Sequence, residues 1–180
     1  MFLFFLLILS VALSPPPPVY AFTLIGGSAL LGWDTEELVI NVNFSNCGIS
    51  GDSLKRITEE AMDIWNTSPT SGISLRLGSN STTTPKQAFT ELAQDSPVIL
   101  CDPDLAGTLG LASGSSTNIP GVTIASLTAG SGLHIGYGFM LLNSNPSDAA
   151  RVSNLRESVI RIVIAHELGH LLGLGHTADD

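Results

Sequence analysis

The sequence has few charged residues, and basic residues are the scarcest. Only 13% of its 180 residues are charged, and 7 Lys and Arg stand against 16 Asp and Glu, so that the net charge is -9. This balance argues against nucleic acid or an anionic membrane surface as partner, because few groups could neutralise phosphates. Hydrophobic residues make up 44% of the chain, which excludes intrinsic disorder. The length suits one domain with its own core.

Basic residues are absent before Lys55, although the chain opens with an apolar run over residues 1–13. Roughly twelve helical residues would span about 18 Å, too short for a bilayer core of about 30 Å. We therefore predict that residues 1–21 are a signal peptide, cleaved after Ala21, and that the protein is secreted without a stable membrane span. The basic residues that usually precede the apolar run are missing, and an uncleaved anchor is the alternative.

Histidine is also scarce, and three of the four histidines lie in residues 166–176, which read H-E-L-G-H-L-L-G-L-G-H. In a helix, His166 and His170 lie one turn apart on the same face, so both imidazoles can reach one metal ion. Gly173 allows the left-handed conformation that ends a helix and reverses the chain, which brings His176 round as a third ligand. Three neutral imidazoles leave the fourth tetrahedral position of a zinc ion for water, as in catalytic sites.

Glu167 is predicted to be the catalytic residue of this stretch. It lies about 100 degrees round the helix from His166, so its carboxylate stands beside the metal, where it can deprotonate a bound water. The alternative is a helix with ordinary surface or core histidines. A chance match to five fixed positions in eleven has odds of about one in a million per start point at average residue usage. We predict one catalytic zinc ion and no residues that bind a further cofactor.

The pattern H-E-x-x-H-x-x-G-x-x-H resembles the signature of the metzincin zinc metalloproteases. With Gly169, Leu172 and Leu174 in place, it is most similar to the matrixin branch, the matrix metalloproteinases and their bacterial relatives. Ala61 and Trp65 resemble an alanine and a tryptophan at this spacing in the first long helix of matrixins, where both pack on the sheet, although any amphipathic helix could carry an aromatic residue at position 65. A serralysin-like or astacin-like enzyme is the alternative branch, and Thr177 is closest to the serine that is common in matrixins after the third histidine.

The resemblance implies an α/β (α+β) fold, the upper subdomain of metzincins. That subdomain has a twisted, mostly parallel five-stranded sheet with an antiparallel edge strand, one backing helix and the active-site helix. It would occupy residues 35–180, after a lead-in over residues 22–34 with little structure. Hydrophobic periodicity predicts strands over residues 38–44, 74–77, 98–101, 108–113, 122–127 and 137–142, and helices over residues 50–66, 85–94 and 155–172.

Three features of this arrangement are further expectations. We favour residues 108–113 over residues 122–127 as the edge strand, along which a protein or peptide substrate would bind by backbone hydrogen bonds. We expect Asn154 to cap the site helix, with Glu157 as its capping-box partner. The site helix is apolar nearly all round, which predicts that it is buried.

Cysteine is nearly absent, with Cys47 after the first predicted strand and Cys101 at the end of the third. In the matrixin sheet those two strands are parallel neighbours, so the resemblance implies a disulfide, as suits a secreted chain with an even count. Two unpaired thiols are the alternative. His134 has no other potential ligand nearby, so we do not carry over the structural zinc and calcium sites of matrixins.

The resemblance implies a secreted, monomeric metalloendopeptidase that hydrolyses peptide bonds with zinc-activated water and Glu167 as general base. Metzincins have a Met-containing turn soon after the third histidine, whereas the three methionines here lie upstream of it. We expect the sequence to be cut short before this turn and the C-terminal subdomain. The competing interpretation is a secreted, zinc-stabilised binding module whose catalysis is impaired. Zinc content without cleavage of a peptide library would favour that module.

Overall fold

The computed structural model describes residues 23–24, 32–69, 72–91, 97–127 and 134–176. The predicted signal peptide, its cleavage site and most of the lead-in lie outside them. Within the described ranges, no helix has both the length and the apolarity needed to cross a bilayer. The elements are β1 (Thr23–Leu24), β2 (Gly32–Trp33), β3 (Glu37–Asn43), α1 (Gly51–Asn66), β4 (Ser74–Asn80), α2 (Pro85–Glu91), β5 (Val98–Asp102), α3 (Leu105–Thr108), β6 (Gly121–Leu127), β7 (His134–Asn143), a 3-10 turn (Val152–Asn154), α4 (Glu157–Leu171) and β8 (Leu174–Gly175).

Six strands form one sheet, which confirms the predicted mixed α/β fold with a mostly parallel sheet. β4, β3, β5 and β7 lie side by side in that order and are parallel, and β6 is antiparallel to β7. The sixth strand, β2, is parallel to the start of β7. Two short strands, β1 and β8, pair separately and antiparallel. Both β1 and β2 fall in the lead-in, which therefore has more structure than we predicted.

Helices cover both faces of the sheet, so the central strand β5 is buried at every position. Ile99 and Cys101 belong to a core that includes residues of α1 and α4, whereas Val98 and Leu100 belong to a core that includes residues of α2 and α3. This division follows from the alternation of side chains along a strand. The site helix α4 therefore lies on the same face of the sheet as α1.

The first long helix, α1, lies where the sequence predicted it. Ser50 is its N-cap, and the Ser50 hydroxyl oxygen accepts a hydrogen bond from the Ser53 amide at 3.1 Å. Of the apolar residues at helical spacing, Leu54, Ile57 and Ala61 are at most 1% exposed, whereas Ile64 near the end of the helix is 50% exposed. Burial of this stripe holds α1 against the sheet and α4.

The antiparallel edge strand is β6, and the expectation that residues 108–113 form it is wrong. That segment follows the short helix α3, which Asp104 caps by accepting a hydrogen bond from the Gly107 amide at 3.2 Å. Gly110 has a φ of +68°, in the left-handed region that a strand does not use. The Asp104 cap and the turn at Gly110 determine the backbone conformation of this segment. Its apolar residues are too few to favour a strand instead.

The site helix begins later than predicted, and the expected capping box does not form. α4 starts at Glu157, and Asn154 lies in the preceding 3-10 turn, where its amide donates to the Ala149 carbonyl at 3.2 Å. Glu157 instead accepts a hydrogen bond from Arg56 of α1 at 2.8 Å. A partner on another helix has thus replaced the local capping partner.

The prediction that α4 is buried all round is wrong for its outer face. Ile160, Ile164 and Leu168 are at most 1% exposed, whereas Val159 is 40% and Ile162 is 63% exposed. The helix packs on the sheet with one face, and apolar residues continue onto the face that points away from it.

A disulfide joins Cys47 and Cys101, as the resemblance implied. β3 and β5 are parallel neighbours, and the Cα atoms of the two cysteines lie 5.2 Å apart. The bond closes a loop with a sequence separation of 54 residues. Disulfides persist in oxidising compartments, so this one indicates a protein that resides outside the cytoplasm.

A buried polar network holds the loop that leads into β6. Asp148 is 4% exposed and accepts hydrogen bonds from the Ser116 hydroxyl at 2.6 Å and the Asn143 amide at 2.9 Å. The same amide donates to the Ile119 carbonyl at 2.9 Å. The hydrogen bond from Ser116, and after it that from Asn143, holds the pKa of Asp148 below its usual range.

Replacing both Cys47 and Cys101 with alanine should lower the free energy of unfolding by about 4 kcal/mol, the chain-entropy value for a loop of this length. Urea denaturation of the oxidised proteins measures the difference. In a strong reductant, the wild-type protein should fall to the stability of the double variant. Equal stabilities under oxidising conditions would show that the bond does not stabilise the fold.

Ser116→Ala should destabilise the protein at neutral pH and progressively less in acid. A folded-state pKa below the unfolded value contributes stability above the ordinary Asp range, and that stability is lost as the pH falls through the folded pKa. Urea denaturation between pH 7 and pH 3 measures this dependence. Ser115→Ala is the control, because the Ser115 hydroxyl donates to the Ala112 carbonyl and its loss should be independent of pH. A pH-independent effect of Ser116→Ala would contradict the assignment.

Candidate metal centre

His166, His170 and His176 bring their Nε2 atoms to a common point. The Nε2 atom of His170 lies 3.0 Å from that of each of the other two, which are 3.3 Å apart. Nitrogen ligands about 2.0–2.1 Å from a tetrahedral zinc ion would be about 3.4 Å from one another. Over the described part of the chain, no other cluster of three or more His, Cys, Asp or Glu side chains has the spacing of metal ligands. These three side chains could hold one metal ion.

Two elements supply the three imidazoles. α4 carries His166 and His170 one turn apart and ends at Leu171. Gly173 has a φ of +96°, the left-handed conformation that we predicted at this position. The chain then reverses into β8, and His176 follows. A side chain at position 173 would be strained in this conformation, because its Cβ would approach the backbone.

A backbone hydrogen bond orients one of the ligands. The Nδ1 atom of His170 lies 2.7 Å from the Leu174 carbonyl oxygen. A carbonyl oxygen can only accept, so Nδ1 carries the proton and Nε2 keeps its lone pair for a metal ion. β8 therefore orients the His170 ring and also leads to His176.

Two tryptophan side chains hold α4 by its backbone carbonyls. Trp65 of α1 donates to the Ala165 carbonyl at 2.8 Å, and Trp33 of β2 donates to the Leu171 carbonyl at 2.7 Å. A Cβ at Gly169 would lie 3.0 Å from the Trp65 ring, so glycine permits this contact. The Trp65 indole thus contacts the site helix, whereas the resemblance implied packing on the sheet. Sequence reasoning missed Trp33, since no periodic pattern surrounds it.

Glu167 lines the cleft that the three histidines also line. It is 6% exposed, and its Oε2 atom has no hydrogen-bond partner among the described residues. Gly121 of β6 packs beside it, because a Cβ there would lie 3.3 Å from the Glu167 Cγ atom. A buried carboxylate oxygen without a partner is unfavourable for folding. At this position it can accept a hydrogen bond from a molecule bound beside the histidines.

The cleft has a volume of 680 Å³ and lies between β6 and α4. β6 pairs with β7 along one edge, and no described strand pairs with its other edge. The Thr123 hydroxyl of β6 donates to the Glu167 carbonyl at 3.1 Å, which ties this wall of the cleft to the site helix. Both walls contribute lining residues: Gly121, Val122 and Thr123 from β6, and Ile162, Val163, His166, Glu167 and His170 from α4.

A smaller cavity of 330 Å³ also reaches the histidines, from the side of α1. Ile64, Trp65 and Ile162 line it together with Ala165, Gly169, Leu174 and the three histidines, and no carboxylate does. It offers a surface for packing but no carboxylate base. We therefore assign the chemistry of the site to the cleft that contains Glu167.

His134, the fourth histidine, lies outside the cluster. It is the first residue of β7 and pairs with Gly32 of β2. Its Nδ1 atom is buried and has no hydrogen-bond partner in the described ranges. It belongs to no group of potential metal ligands there.

His176→Ala should weaken zinc binding by more than about 100-fold, since even the loss of an outer-shell partner costs about 10- to 100-fold. Competition with a chromophoric chelator measures the dissociation constant. His134→Ala is the matched control, and its zinc affinity should equal that of the wild-type protein. Full zinc retention by His176→Ala would contradict a site with three histidine ligands.

The chain matches no model of a known protein family, and no curated protein is significantly similar to it. The metzincin resemblance therefore remains a prediction from the residues of the site helix and the turn after it. The function must be inferred from the geometry of the metal centre and the cleft.

Proposed function

We propose that this protein is a secreted, zinc-dependent metalloendopeptidase of the metzincin type, closest to the matrixins. The observation that carries the proposal is the convergence of three imidazole Nε2 atoms within 3.3 Å of one another, in a cleft that Glu167 also lines with its buried, unpartnered Oε2 atom. A closed structural zinc site has four protein ligands, whereas catalytic sites have three. Because the Glu167 Oε2 atom has no hydrogen-bond partner, it is available to accept a proton from a water molecule bound in the cleft.

Zinc is the metal that this donor set suits best. Imidazole nitrogen binds several divalent ions, but three neutral imidazoles in a tetrahedral arrangement are typical of catalytic zinc. When bound, zinc would polarise the carbonyl of the scissile peptide and lower the pKa of a coordinated water to about 7.

The protein residues then hold the ligands and move the proton. His170 is fixed as the Nδ1–H tautomer by its hydrogen bond to the Leu174 carbonyl, so its ring cannot turn away from the ion. Glu167 accepts the proton of the attacking water and passes it to the leaving amine. Glu167 directly follows His166 in the same helix, so helix geometry fixes the position of its carboxylate relative to the ligands.

The substrate is an extended polypeptide that binds along β6. The edge of β6 away from β7 has backbone groups that can pair with another strand, and an added peptide strand would gain main-chain hydrogen bonds there. Gly121 and Thr123 contact Glu167 from the same strand. A peptide bond bound at this edge would thus lie close to the base and the ligands.

Secretion is part of the proposal. The Cys47–Cys101 disulfide supports an oxidising compartment. A signal peptide over residues 1–21 would direct the chain to such a compartment and be removed after Ala21, and mass spectrometry of the N-terminus of the exported protein tests this.

Glu167→Gln should retain zinc and lower kcat/KM for peptide cleavage by at least about 100-fold, the usual contribution of a general base. An internally quenched peptide library at neutral pH measures cleavage, and metal analysis measures zinc. Glu157→Gln is the matched control, because Glu157 lies at the exposed start of the same helix and pairs with Arg56. Its activity should equal that of the wild-type protein.

Three outcomes separate the interpretations. Wild-type activity of Glu167→Gln would remove Glu167 from the mechanism. A wild-type protein that binds zinc through the three histidines but cleaves no peptide would favour the zinc-stabilised binding module. A wild-type protein that binds no zinc would contradict both.

A further inference from the structure

The third ligand is the one that α4 does not hold. His166 and His170 lie within the helix, whereas His176 follows the two-residue strand β8. A strand of two residues has little stability by itself and depends on its partner. The partner of β8 is β1, with Thr23 opposite Gly175 and Leu24 opposite Leu174. The backbone of residues 23–24 therefore supports the segment that carries the third imidazole.

A second contact ties the N-terminal part of the chain to the end of α4. The Trp33 indole donates to the Leu171 carbonyl at 2.7 Å. The last four carbonyls of a helix have no partner within the helix, so this bond satisfies one of them. Trp33 lies in β2, which pairs with β7 of the main sheet through Gly32 and Trp33. The end of α4 is thereby fixed to the sheet just before the Gly173 turn.

We propose that β1 and Trp33 position the metal centre, and that pairing of β1 with β8 keeps His176 in reach of the ion. This inference rests on the proposed zinc site and adds to it how the third ligand is held. The affinity of a site falls by the fraction of molecules in which the binding arrangement is populated. Without β1, His176 would sample positions away from the other two imidazoles, and zinc would bind more weakly.

Processing of the chain would also affect how the third ligand is held. Cleavage after Ala21 would leave β1 one residue from the new N-terminus. Further trimming past Leu24 would then weaken zinc binding without removing a ligand. The N-terminal sequence of the processed protein would thus determine metal retention and, with it, activity.

The test replaces Thr23 and Leu24 in the full-length chain. Thr23→Pro with Leu24→Pro removes both backbone donors of β1, whereas Thr23→Val with Leu24→Val keeps them and is the matched control. We expect the proline variant to bind zinc about tenfold more weakly, because β1 loses the backbone donors with which it can pair with β8. The valine variant should bind like the wild-type protein. Chelator competition gives the dissociation constants, and circular dichroism checks folding.

The same pair of variants is then made in a His176→Ala background. If β1 acts by placing His176, the proline variant should cause no further loss of zinc affinity there, because the ligand it positions is gone. The visible spectrum of the cobalt-substituted protein gives an independent measure, since its intensity depends on coordination. The proline variant should shift towards the spectrum of His176→Ala.

Two results would overturn the inference: equal zinc affinities for the proline and valine variants, or the same loss with and without His176. If the proline variant does not fold, Trp33→Phe replaces it in the cycle, since it removes the indole donor and keeps an aromatic ring. An unchanged zinc affinity in Trp33→Phe would then overturn the inference. A wild-type protein that binds no zinc, or whose zinc affinity survives His176→Ala, contradicts the proposed function instead.

Discussion

The candidate metal centre depends on a reversal of the chain just beyond the end of α4. Within this reversal, Gly173 adopts a φ of +96°, and the Leu174 carbonyl accepts the Nδ1–H of His170. The turn brings the ring of His176 to 3.0 Å from that of His170, Nε2 to Nε2. An imidazole that followed the helix in a straight line would point away from the other two. A residue other than glycine would resist this turn, so the site depends on the absence of one Cβ atom.

The rest of the fold holds the helix that carries this turn. Ile160, Ile164 and Leu168 are buried against the sheet, and each contributes about 1.5–3 kcal/mol. The ion pair between Arg56 and Glu157 at the start of α4 is exposed, so water screens it and it contributes little to stability. Apolar burial therefore fixes the position of α4. The indole hydrogen bonds of the two tryptophans also fix the position of the helix along its axis and its rotation, because each indole bonds to one particular carbonyl of the helix.

The cleft places a buried carboxylate that is unfavourable for folding next to the edge strand β6. Glu167 is buried with an unpartnered oxygen, which a fold optimised for stability alone would avoid. β6 approaches it closely through Gly121 and Thr123. The strand whose edge would accept an extended peptide in the proposed enzyme is thus the strand that packs against Glu167. In the proposed enzyme, substrate binding and proton transfer depend on the same wall of the cleft.

The spacing of the histidines, the left-handed glycine, α1 with its Ser50 cap and most strands could be predicted, because each depends on neighbours in the sequence. The disulfide followed from a resemblance that places β3 beside β5. The edge strand, the start of α4, the outer face of that helix and the role of Trp33 could not be predicted.

Those features depend on contacts between segments far apart in the chain. Glu157 accepts a hydrogen bond from Arg56 of another helix and not from a residue of the turn before α4. The Leu171 carbonyl accepts a hydrogen bond from the Trp33 indole. By itself the sequence determined which imidazoles can converge, because helical periodicity and glycine stereochemistry are local properties. The tertiary structure decided which strand borders the three imidazoles and which segment supports His176, because packing sets the partner of a strand edge or of a helix end.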